Sequence, residues 1–336
     1  MISGRWDEQF SDSGGSSMYR KLCAIIFSVL LAVGILAVMV IRVWNDLADA
    51  LAYVRPLYLI PACLICLCAW FVRGGRYQSI LSRMHVSISL IFSTACIYIS
   101  QTVNLIVPAR LGDLIRVVLL KHDYDATISQ GLSSIIVERV FDIISVAVLG
   151  LCAVVFVLNA PSWVLMLLVL PLVLGGIFFL VLILTGKVQT DNKYIGYVLT
   201  MMNEMRNASL TPRSACVLAV TSLGIWILDT AICSLVALMF GQDIPFSIVL
   251  LAVVAGNLVK AVPLTPGGVG TYEFALAVIF ELAGTSPAVS TLIAVIDHLI
   301  KNGITLIGGA ISIMYLGDWV IPELSESIKK RLKDES

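Results

Sequence analysis

The sequence is poor in charge. Asp, Glu, Lys and Arg make up 13% of its 336 residues, about half the quarter that a soluble globular domain carries. Histidine is scarcer, with three copies in the whole chain, and none lies near the Cys63-x-x-Cys66-x-Cys68 cluster. Thiols in a hydrophobic run without histidine read as small apolar packing groups, not as a redox or metal motif. The eight cysteines all fall in apolar stretches. Nucleotide loops are missing as well: Gly267-Gly268-x-Gly270 lacks the lysine and hydroxyl of a P-loop, and no Gly-x-Gly-x-x-Gly occurs. No nucleophile–base triad and no basic nucleic-acid patch stand out. The longest polar loop, roughly 187–213, is too small to hold a catalytic core. No catalytic residue, cofactor, metal or nucleic-acid partner is therefore expected.

What the chain has in abundance is apolar surface. Hydrophobic residues make up 59%, and the mean hydropathy is +0.98, which places it among all-α polytopic membrane proteins. Apolar runs at 22–42, 57–72, 132–158, 162–185, 214–240 and 287–317 are full-length spans. Two further segments, 88–120 and 246–283, are interrupted by helix breakers. The expected organisation is a disordered cytoplasmic tail over 1–20, one membrane domain over 21–318, and a basic cytoplasmic tail over 319–336.

Charge gives the topology. If each interrupted segment is a hairpin entering and leaving on one side, the basic loops and both tails share that side. Lys187, Lys193, Arg206, Arg213 and the Lys329-Lys330-Arg331-x-Lys333 tail lie there, together with a loop at 73–87 bearing Arg73, Arg76 and Arg83. The opposite side keeps Arg42 and Arg55. The positive-inside rule then puts both termini in the cytoplasm, in a bacterial cytoplasmic (inner) membrane. The alternative, a complete crossing by 88–107, would export the basic 186–213 loop. In the hairpin model the two breaks enter from opposite sides, as in an inverted-repeat transporter.

The breaks are the sites of interest. They read Asn104-Leu-Ile-Val-Pro108-Ala-Arg110-Leu-Gly112-Asp113-Leu-Ile-Arg116 and Pro263-Leu-Thr-Pro266-Gly267-Gly268-Val-Gly270-Thr-Tyr-Glu273. Irregular backbone is tolerated inside a bilayer only beside protein or a cavity, and each break is followed by a carboxylate. Around them stand Arg110, Asp113, Arg116, Glu138, Arg139, Asp142, Lys260 and Glu273. Charge is costly in lipid, so these groups should face the bundle interior and pair. Arg110, Arg116 and Arg139 suit a phosphate, and the half-helix N-termini would aim N–H groups at the same place. Asp229, Asp297 and Lys301 are candidates for ion coupling. The bland reading of each is a neutralising pair or hydrogen bond, with His298 a packing residue or a proton relay. The glycines suffice as a tight turn, with close approach of a phosphate as the functional extra.

Taken in order, Asn104…Pro108-x-Arg110-x-Gly112-Asp113-x-x-Arg116, Glu138-Arg139-x-x-Asp142 and Pro263-x-x-Pro266-Gly267-Gly268-x-Gly270-x-x-Glu273 resemble the lysylphosphatidylglycerol synthase transmembrane family. Its members are described as flippase-like. Asp113 stands where many relatives carry Glu, which preserves charge. In relatives that join this module to a soluble aminoacyl transferase, the resemblance implies that the membrane part moves the lipid between leaflets. No transferase domain is seen here, so synthase activity is not expected. The expected function is flipping or scrambling of an anionic phospholipid, polyprenyl-phosphate or glycolipid. The alternatives are a membrane-embedded transferase acting on a lipid-linked substrate and a non-catalytic partner of a separate lipid-synthesising enzyme.

Overall fold

Caps and breakers decide where each helix begins and ends. In the computed structural model, residues 11–52, 54–107, 112–155, 162–186, 190, 192–262, 264–317, 319 and 322 are described. Pro108, Arg110 and Pro263 fall outside them. The described residues form α1 (Ser11–Arg42), α2 (Leu47–Ala52), α3 (Leu59–Arg83), α4 (Leu90–Ile106), α5 (Gly112–Tyr124) and α6 (Ile128–Val154). They continue with α7 (Ser162–Thr185), α8 (Lys193–Ser209), α9 (Pro212–Met239), α10 (Phe246–Ala261), α11 (Thr271–Leu282) and α12 (Pro287–Leu316). The Ser89 hydroxyl accepts from Phe92 N to open α4. Thr127 and Gln130 form a capping box that opens α6. Pro212 sits in the first turn of α9 behind the Thr211 cap, where its missing N–H does no harm.

Two boundaries differ from the sequence reading. α1 already runs from Ser11, inside the segment read as a tail. α3 continues to Arg83, so Arg73 and Arg76 belong to a helix and not to a loop. Of the six expected spans, four described helices are long and apolar enough to cross a membrane, and α1 bending by 61° into α2 makes a fifth. α6 is 27 residues long but carries Glu138, Arg139 and Asp142, which lower its hydropathy.

Contacts between helix ends fix the topology. The Gln130 amide at the start of α6 donates to Met84 O at the end of α3. Phe92, early in α4, packs its ring 4.7 Å from Tyr124 at the end of α5. The α4–α5 pair is therefore a hairpin whose mouth lies at the face where α3 ends and α6 begins. His122 at the end of α5 stacks on Trp319, just past α12, so α12 ends at this first face and begins at the other. Arg55 N donates to Met239 O, and Arg42 pairs with Glu281 at 2.9 Å. These contacts gather the ends of α1, α9 and α11 at the second face, so the α10–α11 hairpin opens there.

The two hairpins thus enter from opposite faces, and the helix order repeats. α3, α4–α5 and α6 are followed in the second half by α9, α10–α11 and α12. The packing follows the same exchange: α4 lies on α12 as α10 lies on α6, and α3 meets α9 along the centre. Counted from the first residue of each helix, Arg76 aligns with Asp229, Gln101 with Asn257, Glu138 with Asp297, and Arg139 with His298. The internal repeat anticipated from the two opposed breaks is present in the packing.

Candidate functional site

Both hairpin tips end in the middle of the bundle, where they touch. Gly267 and Gly268 have φ of 62° and 77°, left-handed values that glycine adopts readily. This lets the tip curl so tightly that a Cβ on Gly267 would lie 2.5 Å from Leu105 of the first hairpin, and one on Gly268 2.6 Å from Lys260 Cγ. Beside the tips lies a cavity of about 410 Å³. Arg73, Arg76, Arg139, Lys260 and Lys301 line it, facing Glu138, Asp142 and Asp229. Asn104, Asn257, Tyr272, His298 and the Gly267–Gly268 turn are also in the lining, among apolar residues.

The first tip is built by Asn104. Its Oδ1 accepts from Gly112 N at 2.8 Å and so satisfies one of the orphan donors at the start of α5. Its Nδ2 donates to Asp113 Oδ1 at 3.0 Å, and Ser100 Oγ donates to the same oxygen at 3.1 Å. The other Asp113 oxygen accepts from Arg139 at 2.6 Å. In this way α4 and α6 clamp the carboxylate that follows the break.

Arg116 lies behind this wall. It is 0% exposed, bonded to Glu138 at 2.7 Å, 3.7 Å from Asp113, and stacked over the Tyr77 ring. It does not line the cavity, and its charge serves to hold α5 against α6. Of the three arginines expected to face a phosphate, Arg139 lines the cavity and is part-exposed, Arg116 is turned away, and Arg110 lies outside the described residues.

Two further arginines line the cavity. Arg76 grips Asp142 through both guanidinium nitrogens and donates to Ser222 at 2.7 Å. Arg73 pairs with Asp229 at 2.7 Å and sits over Trp70. Sequence reading placed both in the loop at 73–87, past the end of the apolar run at residue 72. The signal against that was available: no proline occurs between Pro61 and Pro108, so nothing stops the helix at residue 72. The i,i+3 spacing also puts the two arginines on one helical face.

The second tip repeats the scheme with different chemistry. Glu273 Oε2 accepts from Gly270 N at 2.7 Å, so the carboxylate caps its own half-helix. Its Oε1 lies 2.7 Å from His298 Nδ1, and His298 Nε2 lies 3.4 Å from Lys260 Nζ. Asp297 pairs with Lys301 at 2.8 Å, as their i,i+4 spacing suggests, and accepts from Tyr272 OH at 2.8 Å. Glu281 is the outlier among the acids: it pairs with Arg42 at the second face, far from the cavity. Among the described residues no group of three or more His, Cys, Asp or Glu is disposed to hold a metal ion.

Such a site can bind an anion within a low-dielectric bundle. Five cations line the cavity against three carboxylates, and every carboxylate there is matched to an arginine. The lining itself thus carries two more cations than carboxylates, and behind it Asp113 holds Arg139 and Asp297 holds Lys301.

Comparison with known proteins agrees with this architecture. Residues 25–309 match the family model described as the lysylphosphatidylglycerol synthase TM region. The chain is 30% identical to a protein named Glycosyltransferase AglD from Haloferax volcanii, over 91% of this chain and 57% of that protein. It is 22% identical to a UPF0104 membrane protein of Methanothermobacter thermautotrophicus, over 90% of this chain and 98% of the relative. A UPF0104 membrane protein of Methanocaldococcus jannaschii is 27% identical over 62% and 92%. The chain thus spans little more than half the length of the first of these and nearly all of the other two.

Proposed function

We propose that this integral membrane protein, which belongs to the lysylphosphatidylglycerol synthase TM region family, moves a lipid with an anionic headgroup between leaflets. One observation carries the reading. Two half-helix hairpins enter from opposite faces, meet tip to tip, and flank a cavity with Arg73, Arg139, Lys260 and Lys301 on its wall. Paired repeats of this kind suit alternating access around a central site. The headgroup is an anionic phospholipid, a polyprenyl-phosphate or a phosphate-bearing glycolipid. Its phosphate displaces part of the carboxylate pairing while its tails remain in the bilayer. The membrane is the cytoplasmic one. Lys193, Arg206 and Arg213 at the first face, against Arg42 and Arg55 at the second, orient the first face toward the cytoplasm.

The similarity to a protein named as a glycosyltransferase supports a second reading. Here the module handles a sugar-bearing lipid for a transferase, either a separate lipid-synthesising enzyme or a further domain.

The test is leaflet exchange of fluorescent phosphatidylglycerol and of a labelled polyprenyl-phosphate in proteoliposomes. Wild type is compared with Arg73→Ala and Arg139→Ala, with folding checked by size-exclusion chromatography. Exchange accelerated by wild type and reduced in both variants is the expected result. No acceleration with either lipid, but exchange of a labelled sugar-bearing lipid, would favour the second reading.

A further inference from the structure

Each hairpin tip is tied to the following helix through its carboxylate, and the two ties differ in the partner. In the first, the carboxylate of Asp113 is held by Arg139 at 2.6 Å. Arginine does not deprotonate in proteins, so this tie is a permanent ion pair. In the second, the aligned position carries His298, whose ring lies 2.7 Å from Glu273. Histidine can accept a proton at one ring nitrogen while giving one up at the other, as a proton shuttle does. It is also 3% exposed, and its second nitrogen faces Lys260, a residue on the cavity wall.

Resting on the translocation reading, we infer that Lys260, His298 and Glu273 form a proton-binding relay that couples lipid movement to protons, with the second hairpin as the element it controls.

The arrangement is complete from cavity to backbone. Lys260 donates toward His298 Nε2, His298 Nδ1 donates to Glu273 Oε1, and Glu273 Oε2 accepts from Gly270 N. A proton passing from the Lys260 ammonium to Nε2, with the Nδ1 proton passing to Glu273, leaves lysine, imidazole and carboxylic acid all neutral. The ring ends in its other tautomer, and no proton is gained or lost. Solvent then returns a proton to Lys260, which sets the net uptake at one.

The consequence is local. An ionised Glu273 is a strong acceptor for the tip N–H, and a protonated one is a weaker one. Protonation therefore loosens the cap on α11 at the turn that must move. A phosphate in the cavity stabilises the Lys260 ammonium, which opposes the internal transfer and makes protonation of Glu273 depend on the proton taken up from solvent.

The neighbouring groups leave room for this. The charged and titratable groups packed around His298 are Glu273 and Tyr272 from α11, Lys260 from α10, and Asp297 and Lys301 from its own helix. Asp297 and Lys301 neutralise each other at 2.8 Å. Among the described residues, the carboxylate bonded to the ring is Glu273.

The experiment uses the full chain in liposomes holding a trapped pH-sensitive dye and fluorescent phosphatidylglycerol. Leaflet exchange is followed from pH 5.5 to 8.5 and under an imposed pH gradient. Wild type is expected to speed exchange severalfold as pH falls, and its lipid movement is expected to shift the internal pH. His298→Arg copies the Arg139 tie, so its exchange should be flat with pH and produce no dye signal. His298→Gln gives the same loss of pH response and serves if the arginine variant misfolds. Asp113→Asn should change the rate yet keep the pH dependence. Wild-type exchange that is flat with pH and silent in the dye overturns this proposal alone. Absence of exchange at every pH overturns the translocation reading and the relay with it.

Discussion

Arg139 of α6 and His298 of α12 occupy the same position in their helices, and each binds the carboxylate at the tip of the preceding half-helix, Asp113 at 2.6 Å and Glu273 at 2.7 Å. The two halves share geometry but not chemistry. Arg139→His should make the first tie titratable too. Its exchange is expected to approach wild type at pH 5.5 and to fall about tenfold by pH 8, as the imidazole loses its charge. A pH profile of exchange checks this.

Arg116 is predicted to matter for stability first. Removing a buried partner leaves Glu138 and Asp113 under-compensated, which costs about 3–5 kcal/mol. Arg116→Ala should therefore lower thermal stability in detergent sharply. Pairing it with Glu138→Gln should restore part of the loss, and a double-mutant cycle measures how much.

Arg73 and Arg139 line the cavity, and Arg139 is part-exposed. Loss of a charge-assisted hydrogen bond to a phosphate is worth about 1.5–3 kcal/mol. Each alanine variant should slow exchange by about 10- to 100-fold while lowering the melting temperature less than Arg116→Ala does. A melting temperature that falls as far as for Arg116→Ala would mean that these arginines are structural.

Gly268→Ala tests the tip. The residue sits at φ 77°, and an added methyl would meet Lys260 Cγ at 2.6 Å. Strain of about 1–3 kcal/mol is expected, with Lys260 pushed off His298. Exchange should fall and the pH response should weaken, while Gly176→Ala, with open space around it, should do neither.

Side-specific labelling checks the orientation. In a background with the eight native cysteines replaced, Asp125→Cys at the first face should react with an impermeant maleimide only from the cytoplasmic side. Gln242→Cys at the second face should react from outside. The reverse pattern would invert the assignment made from the basic loops.

Composition and hydrophobic run length determined the class, because few charges in a long apolar chain leave only helices that satisfy their own backbone in lipid. The two breaks were also legible. Pro108 and Pro263 cannot continue a helix, and a carboxylate shortly beyond each marks a new N-terminus. The Asp297–Lys301 pair followed from spacing alone. Tertiary structure decided the rest. Asp142 pairs with Arg76, 66 residues away, and not with the adjacent Arg139. Asp229 pairs with Arg73 across 156 residues. Such partners are set by the rotation of each helix about its axis and by which helices meet, and a single sequence states neither. The same reason hid the burial of Arg116: its spacing from Asp113 suggests a shared face, but only the packing of α5 on α6 turns that face from the cavity toward Glu138.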